Sequence, residues 1–251
     1  MKKYLEKYGP PVIPFVVAAL IAEMLVRYGI VAPYILPAPS AVFQSFISDF
    51  GEYFSAVQGT FGAAFFGLLL ATIVGVALAL LLSTSSWIER AFYPYATFFQ
   101  TVPIVSIAPL LVIWFGFGLK TVVISAFIVS VFPIIANTLA GLKTVDPALI
   151  DLFRLYGGSK KDLVLKLRLP NAMPYVLTGL RISSGLAMIG AVIGEFIAGG
   201  GLGGIIDASR TQQRLDKVFA AVMLASLCGL VLIFLLNQFS RFFLQRWSKS
   251  E

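Results

Sequence analysis

Arg181 and Glu195 are the only charges in the apolar stretch from Ala172 to Ala198. A charge at mid-membrane costs about 2.5 to 3.5 kcal/mol on insertion scales, so each needs compensation. Fourteen positions apart, they cannot pair within one helix. Either they face a solute pathway or a subunit interface, Glu195 near the outer end of the stretch and Arg181 nearer the inner end, or each reaches its nearer surface along its aliphatic stem. Covalent chemistry has little to work with. The sequence contains no histidine, which excludes histidine triads, zinc-histidine sites and imidazole relays. Its one cysteine, Cys228, lies in an apolar run, so no internal disulfide or cysteine metal cluster can form.

The second polar constellation runs from Gly141 to Asn171. Asp146-Pro147 starts a helix, because aspartate caps free amides and proline suits the first turn. Leu149, Leu152, Phe153 and Tyr156 then share one face, with Asp151 and Arg154 beside it, and Gly157-Gly158 ends the helix. Ser159-Lys-Lys-Asp162 is a capping-box pattern that starts a second short helix with Leu163 and Leu167 on its apolar side, which Pro170 stops. Helices this short need packing partners. Their own membrane domain satisfies one face, and a docked soluble protein would satisfy another.

A bilayer must hold the rest. Of 251 residues 59% are hydrophobic and 12% charged, with a mean hydropathy of +0.91, far more apolar than one soluble core requires. About 20 apolar residues cross a bilayer. Stretches at Thr60 to Ile88, Ala91 to Leu119, Thr121 to Leu142, Ala172 to Ala198 and Val218 to Ser240 meet or nearly meet this length, and Pro11 to Ile30 makes a sixth. In that first stretch Glu23 and Arg27 stand at i and i+4, able to pair. It reads as a retained span, since no convincing cleavage site follows it. The net charge of +7 describes topology and not nucleic-acid binding. Lys2, Lys3, Lys7, Arg90, the basic residues of the insert, Arg241, Arg246 and Lys249 fall on one side. Lys120, Arg210, Arg214 and Lys217 fall on the other, placing both termini and the insert in the cytoplasm. Pro94, Pro103, Pro109 and Pro133 bend spans or serve a pathway of bent helices, and Gly190-Ala-Val-Ile-Gly194 offers a face for close helix contact.

The insert resembles that of the membrane-spanning permease subunits of binding-protein-dependent ABC importers. That family carries Glu-Ala-Ala, three residues, Gly, nine residues, Ile-x-Leu-Pro. Here the same spacing reads Asp151-Leu-Phe, Gly157 and Leu167-Arg-Leu-Pro170, with Asp for Glu, Leu-Phe for the alanines and Leu for Ile. Ile35-Leu-Pro-Ala-Pro-Ser-Ala-Val42, Val102-Pro-Ile-Val-Ser-Ile-Ala-Pro-Leu110 with Trp114-Phe-Gly116, and Gly179-Leu-Arg181 leading to Gly194-Glu195 are similar to the nitrate, sulfonate, taurine and thiamine-precursor branch. The likeness runs from Ile13 to Phe239.

The resemblance implies an all-α membrane protein with a type I importer-like fold, about six transmembrane helices and one permease domain over 1–251, with a cytoplasmic two-helix coupling insert at about 143–170. It implies a multi-pass protein of the prokaryotic inner membrane. The expected partners are a second permease, an identical copy or a close relative, two cytoplasmic ATP-binding subunits, an external solute-binding protein and membrane lipid, with no nucleic acid. It makes Asp151, Arg154, Gly157, Leu167, Leu169 and Pro170 the coupling residues, and Glu195, Arg181, Pro103 and Pro109 candidates for the pathway. No cofactor or metal is expected on this chain, which is no enzyme; ATP and magnesium belong to the partner subunits. Gly199-Gly-Gly-Leu-Gly-Gly204 contains G-x-G-x-x-G but follows an apolar helix and not a strand, so it reads as a flexible external turn. Gly116-Phe-Gly-Leu-Lys-Thr121 lacks the Gly-Lys pair of a phosphate loop. The rival is a carrier or channel driven by an ion gradient, which would show ionisable clusters or repeated broken helices in the membrane. The solute is expected to be a vitamin precursor, a sulfonate or a nitrate-like ion. The absence of a basic cluster from the spans disfavours a tightly held small anion and leans toward a neutral or aromatic one.

Overall fold

The computed structural model describes residues 2–247, with side chains for residue 10 and for residues 13–242. Lys249 and the side chains of Lys2, Lys3, Lys7 and Arg246, which the topology count used, lie outside the described residues. The described chain is helical throughout. In order the helices are α1 (Lys2–Arg27), α2 (Pro39–Ser48), α3 (Phe50–Leu82), α4 (Ser86–Thr101), α5 (Ile104–Phe115), α6 (Leu119–Lys143), α7 (Pro147–Leu155), α8 (Lys160–Asp162), α9 (Leu169–Ala198), α10 (Gly201–Thr211) and α11 (Leu215–Trp247). A π turn, Leu163–Arg168, joins α8 to α9.

Among the described residues four helical segments are long and apolar enough to cross a membrane: α3, α6, the run from Lys160 to Ala198, and α11 through Phe242. The expected span at Ala91 to Leu119 is not one rod. It divides into α4 and α5, bent by 99°, and counts as a fifth span only if the pair is taken together. Val102 and Pro103 take extended backbone angles at the break, as the residue before a proline prefers.

The core is a seam between α6 and α9 with α3 laid across it. Small residues set its closeness, because helices in lipid gain most from van der Waals contact at short range. The two helices run antiparallel. A Cβ on Gly141 would fall 2.8 Å from Tyr175, one on Gly179 would fall 3.2 Å from Asn137, and one on Gly194 would fall 3.0 Å from Val122. Ser125 Oγ donates to the Gly190 carbonyl at 2.8 Å and Ser183 Oγ to the Ser130 carbonyl at 2.6 Å, so the buried hydroxyls join the helices. The expectation for Gly190 and Gly194 thus holds, and Gly141 and Gly179 extend the seam to the insert end.

The glycine-rich segment differs from the flexible turn expected of it. Gly199 and Gly200, with φ of +78° and +84°, break the chain, and the remaining glycines start α10. Across the same end of the bundle, Lys217 Nζ at the head of α11 reaches Asp49 at 2.9 Å and Glu52 at 3.3 Å, joining it to the α2–α3 corner. At the opposite end Lys143 pairs with Glu89, tying α6 to α4.

Candidate functional site

The insert folds locally as its sequence dictates. Asp146 Oδ1 accepts the Ala148 N–H at 2.8 Å and Pro147 opens α7. At the far end the Gly158 N–H donates to the Phe153 carbonyl at 3.1 Å and the Gly157 N–H to the Arg154 carbonyl at 2.9 Å. Gly157 has φ +75°, so this is a Schellman cap with glycine in the left-handed position. A Cβ on Gly158 would strike the Phe153 ring, which fixes that ring against the turn. The capping box forms as well. Ser159 Oγ accepts the Asp162 N–H at 3.1 Å and donates to its carboxylate.

The second insert helix, expected to stop at Pro170, does not stop. Its chain continues through the π turn into α9, with the Leu169 N–H donating to the Val164 carbonyl five residues back. Winding one residue wider admits Pro170, which lacks a donor and crowds the carbonyl four residues behind it in an α-helix. The second insert helix is therefore continuous with a membrane span. Leu163 is buried, and Leu167, Leu169 and Pro170 are half-buried.

The α7 face stands open. Asp151 and Arg154 are exposed beside each other, 3.5 Å apart, and Leu149 and Leu152 are about half exposed. Leu155 and Tyr156 are 84% and 86% exposed, values unusual for large apolar side chains at a well-capped helix end.

The pathway candidates separate. Arg181 lies midway along α9 on an exposed face that also carries Asn171, Tyr175 and Thr178. Pro103 caps α5 at the 99° break and Pro109 lies within α5, both exposed. Glu195 does not share that surface: it is only 3% exposed. Its Oε2 accepts the Gly203 N–H at 3.0 Å and the Thr60 hydroxyl at 2.9 Å, while Thr60 Oγ1 accepts the Leu202 N–H at 2.9 Å. Glu195 and Thr60 thus cap the first amides of α10, which sequence reasoning missed because Thr60 is 135 positions away. Beneath this cap an open cavity of about 780 Å³ is bordered by Glu52, Ser55, Phe117, Gly199, Gly200 and Asp207. A second glutamate does similar work at the start of α2. Glu23 accepts the Ser40 N–H at 3.0 Å and the Ser40 hydroxyl at 2.7 Å, and Arg27 Nε donates to it at 2.7 Å as its spacing predicted.

Residues 67–249 match the family described as binding-protein-dependent transport system inner membrane component. The formylaminopyrimidine transport permease protein ThiX of Halalkalibacterium halodurans is 35% identical, over 88% of this chain and 89% of its own. The riboflavin transport system permease protein RibX of Chloroflexus aurantiacus is 34% identical, over 65% of this chain and 61% of its own. Among solved structures, inward-facing MetNI methionine ABC transporter superposes with a TM-score of 0.67 at 17% identity, covering 76% of this chain and 96% of that one, and so shares the fold. An all-helical bundle with this insert, matched over these lengths, belongs to the inner-membrane permease components of binding-protein-dependent ABC importers.

Proposed function

We propose that this chain forms half of an ATP-driven import pathway, with a second copy or close relative as the other half and its insert clamped by a cytoplasmic ATP-binding subunit. The observation that carries the reading is the exposed apolar end of α7, Leu155 and Tyr156, presented by a rigid Schellman turn. Asp151 and Arg154 flank the docking face, while Leu167, Leu169 and Pro170 pass its motion into α9 through the unbroken π turn. ATP and magnesium sit on the partner, whose closure draws the paired inserts together and opens the pathway outward. The charge distribution supports an insert and termini on the cytoplasmic side.

The second copy covers the exposed α9 face. Arg181 stands too far from either end of a long apolar run to reach water easily, so a polar pathway or the opposing copy must receive it. Pro103 and Pro109 shape the neighbouring broken pair. Glu195 supports the outer mouth as a helix cap beside the 780 Å³ cavity.

In Gly157→Val, transport and substrate-stimulated ATPase fall together while membrane insertion persists. Nothing lies within 4 Å of a Cβ at Gly157, so the effect is conformational and not steric. A left-handed β-branched residue costs about 1–2 kcal/mol, which corresponds to roughly a five- to thirtyfold loss of the competent turn. Full coupled activity in proteoliposomes carrying the complete complex would overturn the role of the insert.

The solute is proposed to be a neutral heterocycle of the vitamin-precursor kind. Support comes from relatives named for formylaminopyrimidine and riboflavin transport and from the lack of a basic cluster in the spans. Calorimetric titration of the cognate external binding protein should give micromolar or tighter binding of such a heterocycle. Tight binding of an alkanesulfonate or nitrate in its place assigns the importer to anions.

A further inference from the structure

Where α3 ends and the π turn begins, a cavity of about 530 Å³ is bordered by Arg154, Lys160, Lys161 and Arg168 together with Ser83 and Thr84. No carboxylate lines it. Asp162, the acid closest in sequence to the lysines, is already held by Lys166 at 2.7 Å and by Ser159. Asp151 reaches only Arg154, at 3.5 Å, out at the exposed rim. Four cations thus converge, and three of them, Lys160, Lys161 and Arg168, have no carboxylate within ion-pair range among the described residues, at a mutual repulsive cost that a ligand charge would remove.

Arg168 makes the requirement specific. Its Nε is shielded from solvent and has no hydrogen-bond acceptor among the described residues. A buried guanidinium donor left unpaired costs free energy that one acceptor oxygen would recover, and guanidinium geometry suits the oxygens of a phosphate. The other side of the cavity is apolar, formed by Leu163, Val164 and Leu165 of the π turn. A π turn inside a long helix commonly marks a ligand site. The cavity also sits directly at the end of the apolar run of α3, which closes at Leu82 immediately before Ser83.

We propose that this cavity binds a phosphate group, and that the group belongs to an anionic phospholipid of the leaflet on the insert side. Free phosphate would satisfy the cations but has no use for the apolar wall, whereas a glycerophospholipid presents both chemistries at this depth. The bound lipid would brace the π turn through which the insert and α9 move as one. The binding itself does not depend on the coupling role proposed above.

Native mass spectrometry of the purified full-length chain, titrated with phosphatidylglycerol or phosphatidylcholine, tests the site. Wild type should retain phosphatidylglycerol in preference. In Lys160→Gln/Lys161→Gln its affinity should fall by about thirtyfold, the weight of two lysines beside an anionic surface, with phosphatidylcholine unchanged. Both lysines are exposed, so the variant folds, and Lys120→Gln, an exposed lysine at the end of α6 opposite the insert, should bind as wild type does. A parallel titration with inorganic phosphate separates the sources: phosphate binding that depends on Lys160 and Lys161, with no lipid preference, upholds the oxyanion site and overturns the lipid. Binding of both ligands indifferent to Lys160 and Lys161 overturns the proposal altogether.

Discussion

Glu195→Ala abolishes most of the folded protein, whereas Glu195→Gln leaves folding and transport near wild type. The carboxylate is the acceptor for the Gly203 N–H and the Thr60 hydroxyl in a buried site. Alanine strands the Gly203 amide at about 1–3 kcal/mol and adds a cavity where the side chain was. Thr60 loses little, because its single hydrogen can turn to the Ala56 carbonyl at 3.0 Å, whereas the Gly203 amide has no such alternative. Glutamine retains one oxygen in the accepting position, and its amide nitrogen points toward the open cavity bordered by the glycines, where water can receive it. No cation stands within ion-pair range of Glu195 among the described residues, so removing its charge orphans nothing. Fluorescence size-exclusion profiles of detergent extracts, followed by transport in proteoliposomes, distinguish the outcomes. A glutamine variant that folds fully but transports poorly would return Glu195 to the solute pathway.

Gly190→Val should be as damaging, for the opposite reason. A Cβ there would lie 2.8 Å from the Ala126 Cα and 2.8 Å from the Ser125 carbonyl oxygen. These are backbone atoms that cannot rotate aside. Ala126 is also held from its other side, where it meets Gly67 of α3, so α6 has no free direction in which to yield. Overpacking of this kind costs about 1–3 kcal/mol or more, and separating the seam also breaks the Ser125 hydrogen bond to the Gly190 carbonyl. Gly185→Val supplies the comparison, because nothing lies within 4 Å of its Cβ. The melting temperature should drop sharply for the first and barely for the second. Equal melting temperatures would mean that α6 and α9 do not meet at this register.

The insert was the most legible part of the site. Asp146, Pro147, Gly157 and Ser159 act on amides and carbonyls within five residues of themselves, so the residue order alone identifies the caps. Pro170 misled for the same reason. Read locally a proline ends a helix, but the π turn before it absorbs the missing donor, and packing of Leu163 against its neighbours keeps the helix running. The span expected at Ala91 to Leu119, with its prolines as bends, breaks at Val102-Pro103, where hydropathy registers the apolar run but not the size of the 99° change of direction within it.

By itself the sequence determined that this chain lies in a bilayer, that it carries a capped insert with a glycine turn, and which family it resembles. Transfer of apolar runs from water and hydrogen bonds between near neighbours depend on composition and order along the chain. Only the tertiary structure decided that Glu195 caps α10 with Thr60, that Glu23 holds Ser40, and that Arg154, Lys160 and Lys161 share one cavity with Arg168, whose Nε is unpaired among the described residues. Each joins residues on different helices. Helix packing fixes which faces meet, and no periodicity within one helix specifies the partner's register.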